Sequence, residues 1–537
     1  MEYNLADLFE SVVDAVPDRE ALVYLDHPGT GAERRLTYAE LDVAANRIGH
    51  HLIDSGLRPG EHLGLHLYNG VEYLQTVLGC LKARIVPVNV NYRYVEEELV
   101  YLYRDADLAA LVFDAEFTDR VATAMPQCPK LRHLVRVGSE GDEVPGVASF
   151  AEAEAGGSPE RGFPARSGDD QFIIYTGGTT GMPKGVMWRQ EDLFFSGLGG
   201  GAPTGEPVKK PEELAERVAA GGSGITFFPA PPLMHGTSTL TSFIGFNFGQ
   251  RVVIHRKFVP EEVLRTIEKE KVTSMSLVGD AMLRPLIDAL AGPLKGTDCS
   301  SMFSVSSSGA IMSETVRRQF QELLPNTMLL NNYGSSESGF NGTATADSGA
   351  GQSFRIKVNS RTQVVDPATY EPAAPGEVGR VAQCGHVPLG YYNDPAKTAQ
   401  TFFEKDGERW VLLGDMATAD EEGVVTVLGR GSQCINTGGE KVYPEEVEQA
   451  LKSHPDVYDA LVAGVPDAKW GNHVAAVVQL REGAPRPSLE DIQSYCRTHL
   501  AGYKIPRQLV LTDSIRRSPS GKADYRWAKE VAVAAVP

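Results

Sequence analysis

An apolar run, Gln171-Phe-Ile-Ile-Tyr175, stops abruptly in Thr176-Gly-Gly-Thr-Thr-Gly-Met-Pro-Lys-Gly185. From Tyr175 to Gly185 the chain holds four glycines, three threonines and one lysine in eleven residues. The run reads as a β-strand, and the loop as a cradle for an anion. Gly177, Gly178 and Gly181 let backbone N–H groups approach a phosphate closely. Thr176, Thr179 and Thr180 add hydroxyl donors, and Lys184 adds positive charge. A glycine-rich turn without a ligand is the plainer alternative. The loop is not a Walker A motif, because no Gly-Lys-Ser/Thr closes it. A second glycine cluster, Gly197-Leu-Gly-Gly-Gly-Ala202, follows no apolar strand. A dinucleotide fingerprint opens directly from a strand, so this cluster is not one.

Further β-branched runs recur along the chain and end at Gly, Ser or Pro, with helix-like stretches such as Pro260–Glu268 between some of them. Strands alternating with helices predict an α/β fold with a largely parallel sheet. Ligands of such sheets bind beyond the carboxyl ends of the strands. The length of 537 residues suggests three or four domain-sized units, at about 150 residues each. Near residue 430 the texture changes to short strands and helices. A large N-terminal domain of mixed and parallel sheets flanked by helices is therefore expected over 1–430. A small, mobile α+β domain is expected over 431–537, with the hinge in Gly429–Gln433. Residues 196–224, rich in Gly, Pro and charge, read as a surface insertion with one short helix.

The chain carries a net charge of −19, which argues against general affinity for nucleic acid or anionic membranes. No stretch approaches the roughly 18 consecutive apolar residues of a membrane span. The N-terminus has no basic and then apolar leader, and the C-terminus carries no peroxisomal tripeptide or prenylation box. Six scattered cysteines, none in C-x-x-C spacing, argue against a disulfide scaffold or zinc site. A cytoplasmic location is expected, as a monomer or homodimer.

The loop closely resembles the phosphate-binding signature of the adenylate-forming superfamily, which includes acyl-CoA synthetases, aryl-CoA ligases, luciferases and peptide-synthetase adenylation domains. Three further motifs follow in the family's order: Asn332-Tyr-Gly-Ser-Ser-Glu337, then Gly414-Asp415 with Gly429-Arg430, then Pro519-Ser-Gly-Lys522. The resemblance covers nearly the whole chain. It implies ATP and CoA as co-substrates and Mg²⁺ as the metal. A carboxylate attacks the α-phosphate of ATP to give an acyl-adenylate and pyrophosphate, and a thiol then displaces AMP.

By this resemblance the phosphate loop, Ser308-Gly309-Ala310 and the segment Asn332, Tyr333, Gly334, Ser335 and Ser336 bind ATP, with Tyr333 stacked on adenine. Glu337 holds the metal, with Thr176 nearby; a carboxylate at a helix N-terminus is the plainer reading of Glu337. Asp415 accepts the ribose hydroxyls, and Arg430 reaches the ribose or phosphate. Lys522 is the catalytic lysine, neutralising charge as carboxylate and phosphate meet. Seen alone, a lysine in Ser-Pro-Ser-Gly-Lys reads as a solvated tail. His235, in Pro231-Pro-Leu-Met-His235-Gly, lies near the acyl carboxylate in the family. Thr437-Gly-Gly-Glu-Lys resembles the loop that forms the thiolation site, with Gly438, Gly439 and Lys441 against CoA.

Peptide-synthetase domains place an aspartate near His235 to meet an α-amine. None is visible here, so amino-acid activation is disfavoured. The candidate acyl-pocket segments 236–245, 278–282 and 306–312 contain no Arg or Lys. They suit a hydrophobic monocarboxylate, of medium or long chain or with a bulky ring. The run from the phosphate loop into Val186–Asp192 and the glycine-rich segment resembles actinobacterial synthetases of sterol side-chain breakdown. The reading is an ATP-dependent acyl-CoA synthetase. A ligase loading a carrier protein, a luciferase-like oxygenase and a silent nucleotide-binding module are its alternatives.

Overall fold

The computed structural model describes residues 1–26, 33–138, 146–176, 182–202, 205–222, 224–344, 354–437, 440–467, 470–518 and 521–535. Their strands form three sheets, of fourteen, eight and five strands. The largest has two halves. Glu20–Leu25, Arg251–His255, Thr226–Pro229, Ser274–Leu277, Ser304–Ser308 and Met328–Ser335 run parallel. From Met328–Ser335 onward, Gly339–Ala344, Phe354–Val358, Val424–Arg430 and Glu408–Ala419 pair antiparallel.

Parallel neighbours need helical crossovers, and the sequence supplies them. Helix Pro260–Glu270 starts at a proline, whose missing N–H costs nothing at that position. It buries Val263, Leu264 and Ile267 on one stripe, while Arg265, Glu268 and Lys269 face solvent. Each such aliphatic side chain contributes roughly 1.5–3 kcal/mol on burial. Lys271 ends the helix in the left-handed region, at φ +50°.

In the eight-stranded sheet, Gln171–Thr176 lies beside the parallel strand Val86–Asn89 and pairs antiparallel with Lys184–Arg189. The two strands form a hairpin on either side of the phosphate motif, and among the described residues a strand, not a helix, follows that motif from Lys184.

The third sheet comprises Ile435–Thr437, Glu440–Val442, Val457–Asp467, Gly471–Leu480 and Gln508–Thr512. Pro444–Lys452 and Leu489–Arg497 cover one face, through Val447, Leu451 and Ile492. Tyr525–Ala534 covers the other, through Ala528 and Ala532. This is the small α+β unit expected from the change of texture near residue 430.

The segment 196–224 differs from the expected surface insertion. Leu198, Val208, Leu214 and Val218 are all buried in the main core. Helix Glu212–Ala220 packs on Leu5–Ala15. Leu214 and Val218 stand one turn apart and form an apolar stripe, which the surrounding glycines and charges dilute in any average over the segment. Among the described residues no helix is long and apolar enough to cross a membrane.

Candidate active site

A cavity of 1240 Å³ lies where the large sheet, the phosphate hairpin and the small C-terminal unit meet. Thr176, Lys184, Gly309, Ala310, Asn332, Tyr333, Gly334, Ser335, Ser336, Glu337, Asp415, Arg430 and Lys522 all line it. Residues separated by hundreds of positions thus share one space. Gly177, Gly178, Thr179, Thr180, Gly181, Gly438 and Gly439 lie outside the described residues.

Thr176 and Lys184 face each other across the mouth of the hairpin. The Lys184 ammonium pairs with Asp394 and stands 6.0 Å from the centre of the Tyr391 ring. That pairing, with the Lys397 amide, holds the Asp394 carboxyl below the usual carboxylate range. Asp394 was not foreseen from the sequence.

The strand Met328–Ser335 passes into a tight turn over residues 336–338. Glu337 sits in this turn and not at the start of a helix, so the dipole reading of its carboxylate does not apply. The turn is fixed from three sides. Trp188 Nε1 donates to the Ser336 carbonyl at 2.9 Å. Ser335 Oγ accepts from the Glu337 amide at 3.2 Å. The Tyr391 hydroxyl donates to Glu337 Oε1 at 3.1 Å.

The antiparallel strands Glu408–Ala419 and Val424–Arg430 place Asp415 directly opposite Arg430. Arg430 Nε stands 3.6 Å from Asp415 Oδ1. The Tyr333 hydroxyl donates to Asp415 Oδ2 at 2.8 Å. Burial, then the Asp415 charge, push the Tyr333 phenol well above its ordinary value. Burial works against the Arg430 charge, but Asp415 and Glu337 outweigh it and hold the guanidinium protonated. Tyr333, read from the sequence as a stacking ring, is therefore also tied by its hydroxyl to the ribose-motif carboxylate.

Gly309 ends the Ser304–Ser308 strand at φ +82°, and a Cβ there would stand 3.3 Å from Lys522 Cε. Ser308 itself is not in the cavity wall. Its neighbour Ser307 carries the local bonds, donating to the Ala310 carbonyl at 2.6 Å and accepting from the Gly279 amide at 2.7 Å. Lys522 sits in a turn in which the Ser518 amide donates to the Lys522 carbonyl at 2.8 Å. Its side chain is accessible, but to a space walled by protein. Burial first, then Arg430, lower the ammonium pKa, against the opposing charges of Glu337 and Asp415.

His235 stands at the N-cap position of the helix Gly236–Asn247 and does not line the cavity. Its Nε2 is buried and has no hydrogen-bond partner. Burial, then the charges of Lys522 and Arg93, push its pKa down to about 3, so the ring is neutral. Lys441 lies exposed on Glu440–Val442 and does not line the cavity in this arrangement.

Glu445 is among the wall residues that no sequence motif announced. Glu445, in the first turn of Pro444–Lys452, has a buried Oε2 without a partner. It packs on Gly429, where a Cβ would overlap the carboxylate and lie 3.0 Å from its Cδ. Burial, then the charge of Glu448, raise its pKa to about 8.

The sequence matches the family described as AMP-binding enzyme over residues 9–392, and the AMP-binding enzyme C-terminal domain over 446–522. It is 47% identical over 536 residues to a medium/long-chain-fatty-acid–CoA/3-oxocholest-4-en-26-oate–CoA ligase of Mycobacterium tuberculosis, covering 98% of this chain and 96% of the relative. It is 43% identical over 544 residues to a 3-oxocholest-4-en-26-oate–CoA ligase of Rhodococcus rhodochrous, covering 99% and 96%. The ATP-bound crystal structure of MatB from Rhodopseudomonas palustris superposes with a TM-score of 0.82 at 25% identity, over 99% of each chain. With a full-length relative at this identity and both family segments in order, the chain belongs to the AMP-binding enzyme family.

Proposed function

We propose that this chain is an ATP-dependent acyl-CoA synthetase that activates a hydrophobic monocarboxylic acid through an acyl-adenylate. The observation that carries the reading is the convergence of Glu337, Asp415, Arg430 and Lys522 on one cavity. ATP, the acid and CoA are the substrates. The start of the third sheet at Ile435 supports a division into 1–430 and 431–537.

Two of the residues lining the cavity suit Mg²⁺, the Glu337 carboxylate and the Thr176 hydroxyl, and among the described residues no group of three His, Cys, Asp or Glu could hold a metal by itself. Mg²⁺ keeps several waters and shares phosphate oxygens, so such a sparse set suits it. When bound, it supplies positive charge to the phosphates. Asp415, facing Arg430 and Tyr333, receives the ribose hydroxyls. The acid's carboxylate oxygen attacks the α-phosphorus as the bond to pyrophosphate breaks. Lys522 places its ammonium where the two anions meet and stabilises the charge that develops. A CoA thiol, losing its proton, then attacks the acyl carbon and AMP leaves. Lys441 does not line the cavity in this arrangement, so a part for it in the second step would need the small domain to turn.

For the acid, Ala310 and Ile311 line the cavity together with the buried carboxylate of Asp280. A second carboxylate on the substrate would meet that charge, which favours a monoacid. The ligases of Mycobacterium tuberculosis and Rhodococcus rhodochrous support medium- or long-chain fatty acids and steroid side-chain acids as the class. One incubation with ATP, Mg²⁺, CoA and a panel of fatty, aryl, dicarboxylic and steroid acids, read by mass spectrometry, tests it. Acyl-CoA from hydrophobic monoacids is expected. Acyl-AMP without acyl-CoA would move the assignment to carrier loading, and turnover confined to diacids would refute the acid class.

A further inference from the structure

Arg284 has no place in the chemistry above, yet it is only 3% exposed and its three guanidinium nitrogens have no hydrogen-bond partner. A buried cation without such partners is expensive to keep. Its surroundings show what it meets. The guanidinium carbon stands 5.2 Å from the ring centre of Tyr458, a residue of the small domain. The Tyr458 hydroxyl points to Asp288 Oδ2 at 3.4 Å, one turn further along the same helix, Gly279–Ala291. One aromatic ring is thus held by its face and by its hydroxyl from a single helix of the large domain.

From Tyr458 a chain of short contacts leads to the catalytic lysine. Its neighbour Asp459 takes two hydrogen bonds from Arg517, both at 2.8 Å. The third arm of Arg517 donates to the Gly521 carbonyl at 3.2 Å, next to Lys522. Gly521, at φ +72°, sits so close to the start of the same helix that a Cβ would stand 2.9 Å from the Val278 carbonyl. Asp280, in the first turn of that helix, adds a negative charge that acts on Arg517. Its Oδ2 is buried and also without a partner.

We propose that Arg284 and Asp288 are positioning residues for the adenylation step: by gripping Tyr458 they seat the Asp459–Arg517–Gly521 chain so that Lys522 stands over Gly309. The inference rests on the synthetase reading above. A ring face and a long hydrogen bond make a contact that aligns the domains and still releases. A direct buried salt bridge would require desolvating two charges each time the domains meet. A turn of the small domain for thiol transfer would part Tyr458 from Arg284 and Asp288, so the two half-reactions respond differently.

The test measures both half-reactions on the full-length enzyme: single-turnover acyl-AMP formation, and acyl-CoA formation from supplied acyl-AMP and CoA. Arg284→Met is expected to slow acyl-AMP formation at least tenfold, with ATP affinity within about twofold and thiol transfer unchanged. Arg284→Lys, which keeps charge over the ring, recovers part of the loss. Because the Arg284 site is buried, Asp288→Asn at the exposed end of the grip gives a variant that folds. It is expected to slow acyl-AMP formation several-fold and again to spare thiol transfer. Combined with Tyr458→Leu, either substitution adds little, since the grip is already gone. Equal losses in both half-reactions, or multiplicative losses in the double variants, overturn the proposal. A wild-type enzyme that makes no acyl-AMP from any acid refutes the synthetase reading instead, so the two failures are distinct.

Discussion

Replacing Gly429 with alanine probes the closed arrangement at its hinge. Gly429 holds φ +132°, a region that an L-residue enters at a cost of about 1–3 kcal/mol. Its new Cβ would also overlap the Glu445 carboxylate, whose Oε2 is buried and hemmed in. Glu445 belongs to the small domain's helix Pro444–Lys452, so the overlap opposes this arrangement of the domains specifically. If the penalty falls on the closed form alone, acyl-AMP formation slows about 5- to 150-fold, at about 1.4 kcal/mol per tenfold. Single-turnover release of pyrophosphate with saturating ATP and acid measures it. The double variant Gly429→Ala/Glu445→Ala removes the overlap and keeps the backbone strain, so it recovers part of the rate. A single variant with the wild-type rate, or a double variant worse than the single one, would refute this reasoning.

Asp415→Asn removes the charge that accepts the Tyr333 hydroxyl and faces Arg430. Hydrogen bonds to charged groups are worth about 1.5–3 kcal/mol, so AMP affinity by calorimetry should fall at least tenfold. Glu445 keeps a proton in the folded state up to about pH 8 that the unfolded chain releases near its ordinary pKa of about 4.3. Stability is therefore lost as pH rises from about 4.3 to 8 and levels off above. Glu445→Gln should raise Tm at pH 8 and change it little at pH 4; the reverse order would show that the carboxyl is ionised where it sits. Leu214→Ala, in the segment that reads as a surface insertion, should cost about 2–5 kcal/mol by denaturant unfolding, because Leu214 is 1% exposed. A cost near zero would return that segment to the surface.

The parts of the site legible in the sequence are those whose chemistry is concentrated in a few adjacent residues. The Thr/Gly/Lys loop, the Tyr333–Glu337 segment, Asp415 and Arg430 each carry donors, glycines or charge in a short span, and most of them line one cavity. The alternation of β-branched runs and amphipathic helices was likewise enough for the parallel sheets. What stayed hidden depends on partners distant in sequence. Trp188 reads as a core residue until its indole N–H is seen on the Ser336 carbonyl. Asp394 reads as a helix cap, which it is, and only the fold brings Lys184 to it. Ser304–Ser308 is a strand made mostly of serine, so apolar content does not mark it. Nothing local distinguishes Lys522 from a solvated tail lysine; its setting comes from Arg517, Gly521 and the helix Gly279–Ala291 in the other domain. Tertiary contact decides such residues, and periodicity cannot report it.

The most direct measurement compares wild type and Lys522→Ala in the two half-reactions, with one hydrophobic monoacid that the wild type turns over. Wild type should form acyl-AMP and then acyl-CoA. Lys522→Ala should lose acyl-AMP formation by several orders of magnitude, yet convert supplied acyl-AMP and CoA at close to the wild-type rate. Undiminished acyl-AMP formation by the variant, or equal loss in both steps, would contradict the role given to Lys522 and the closed cavity built around it.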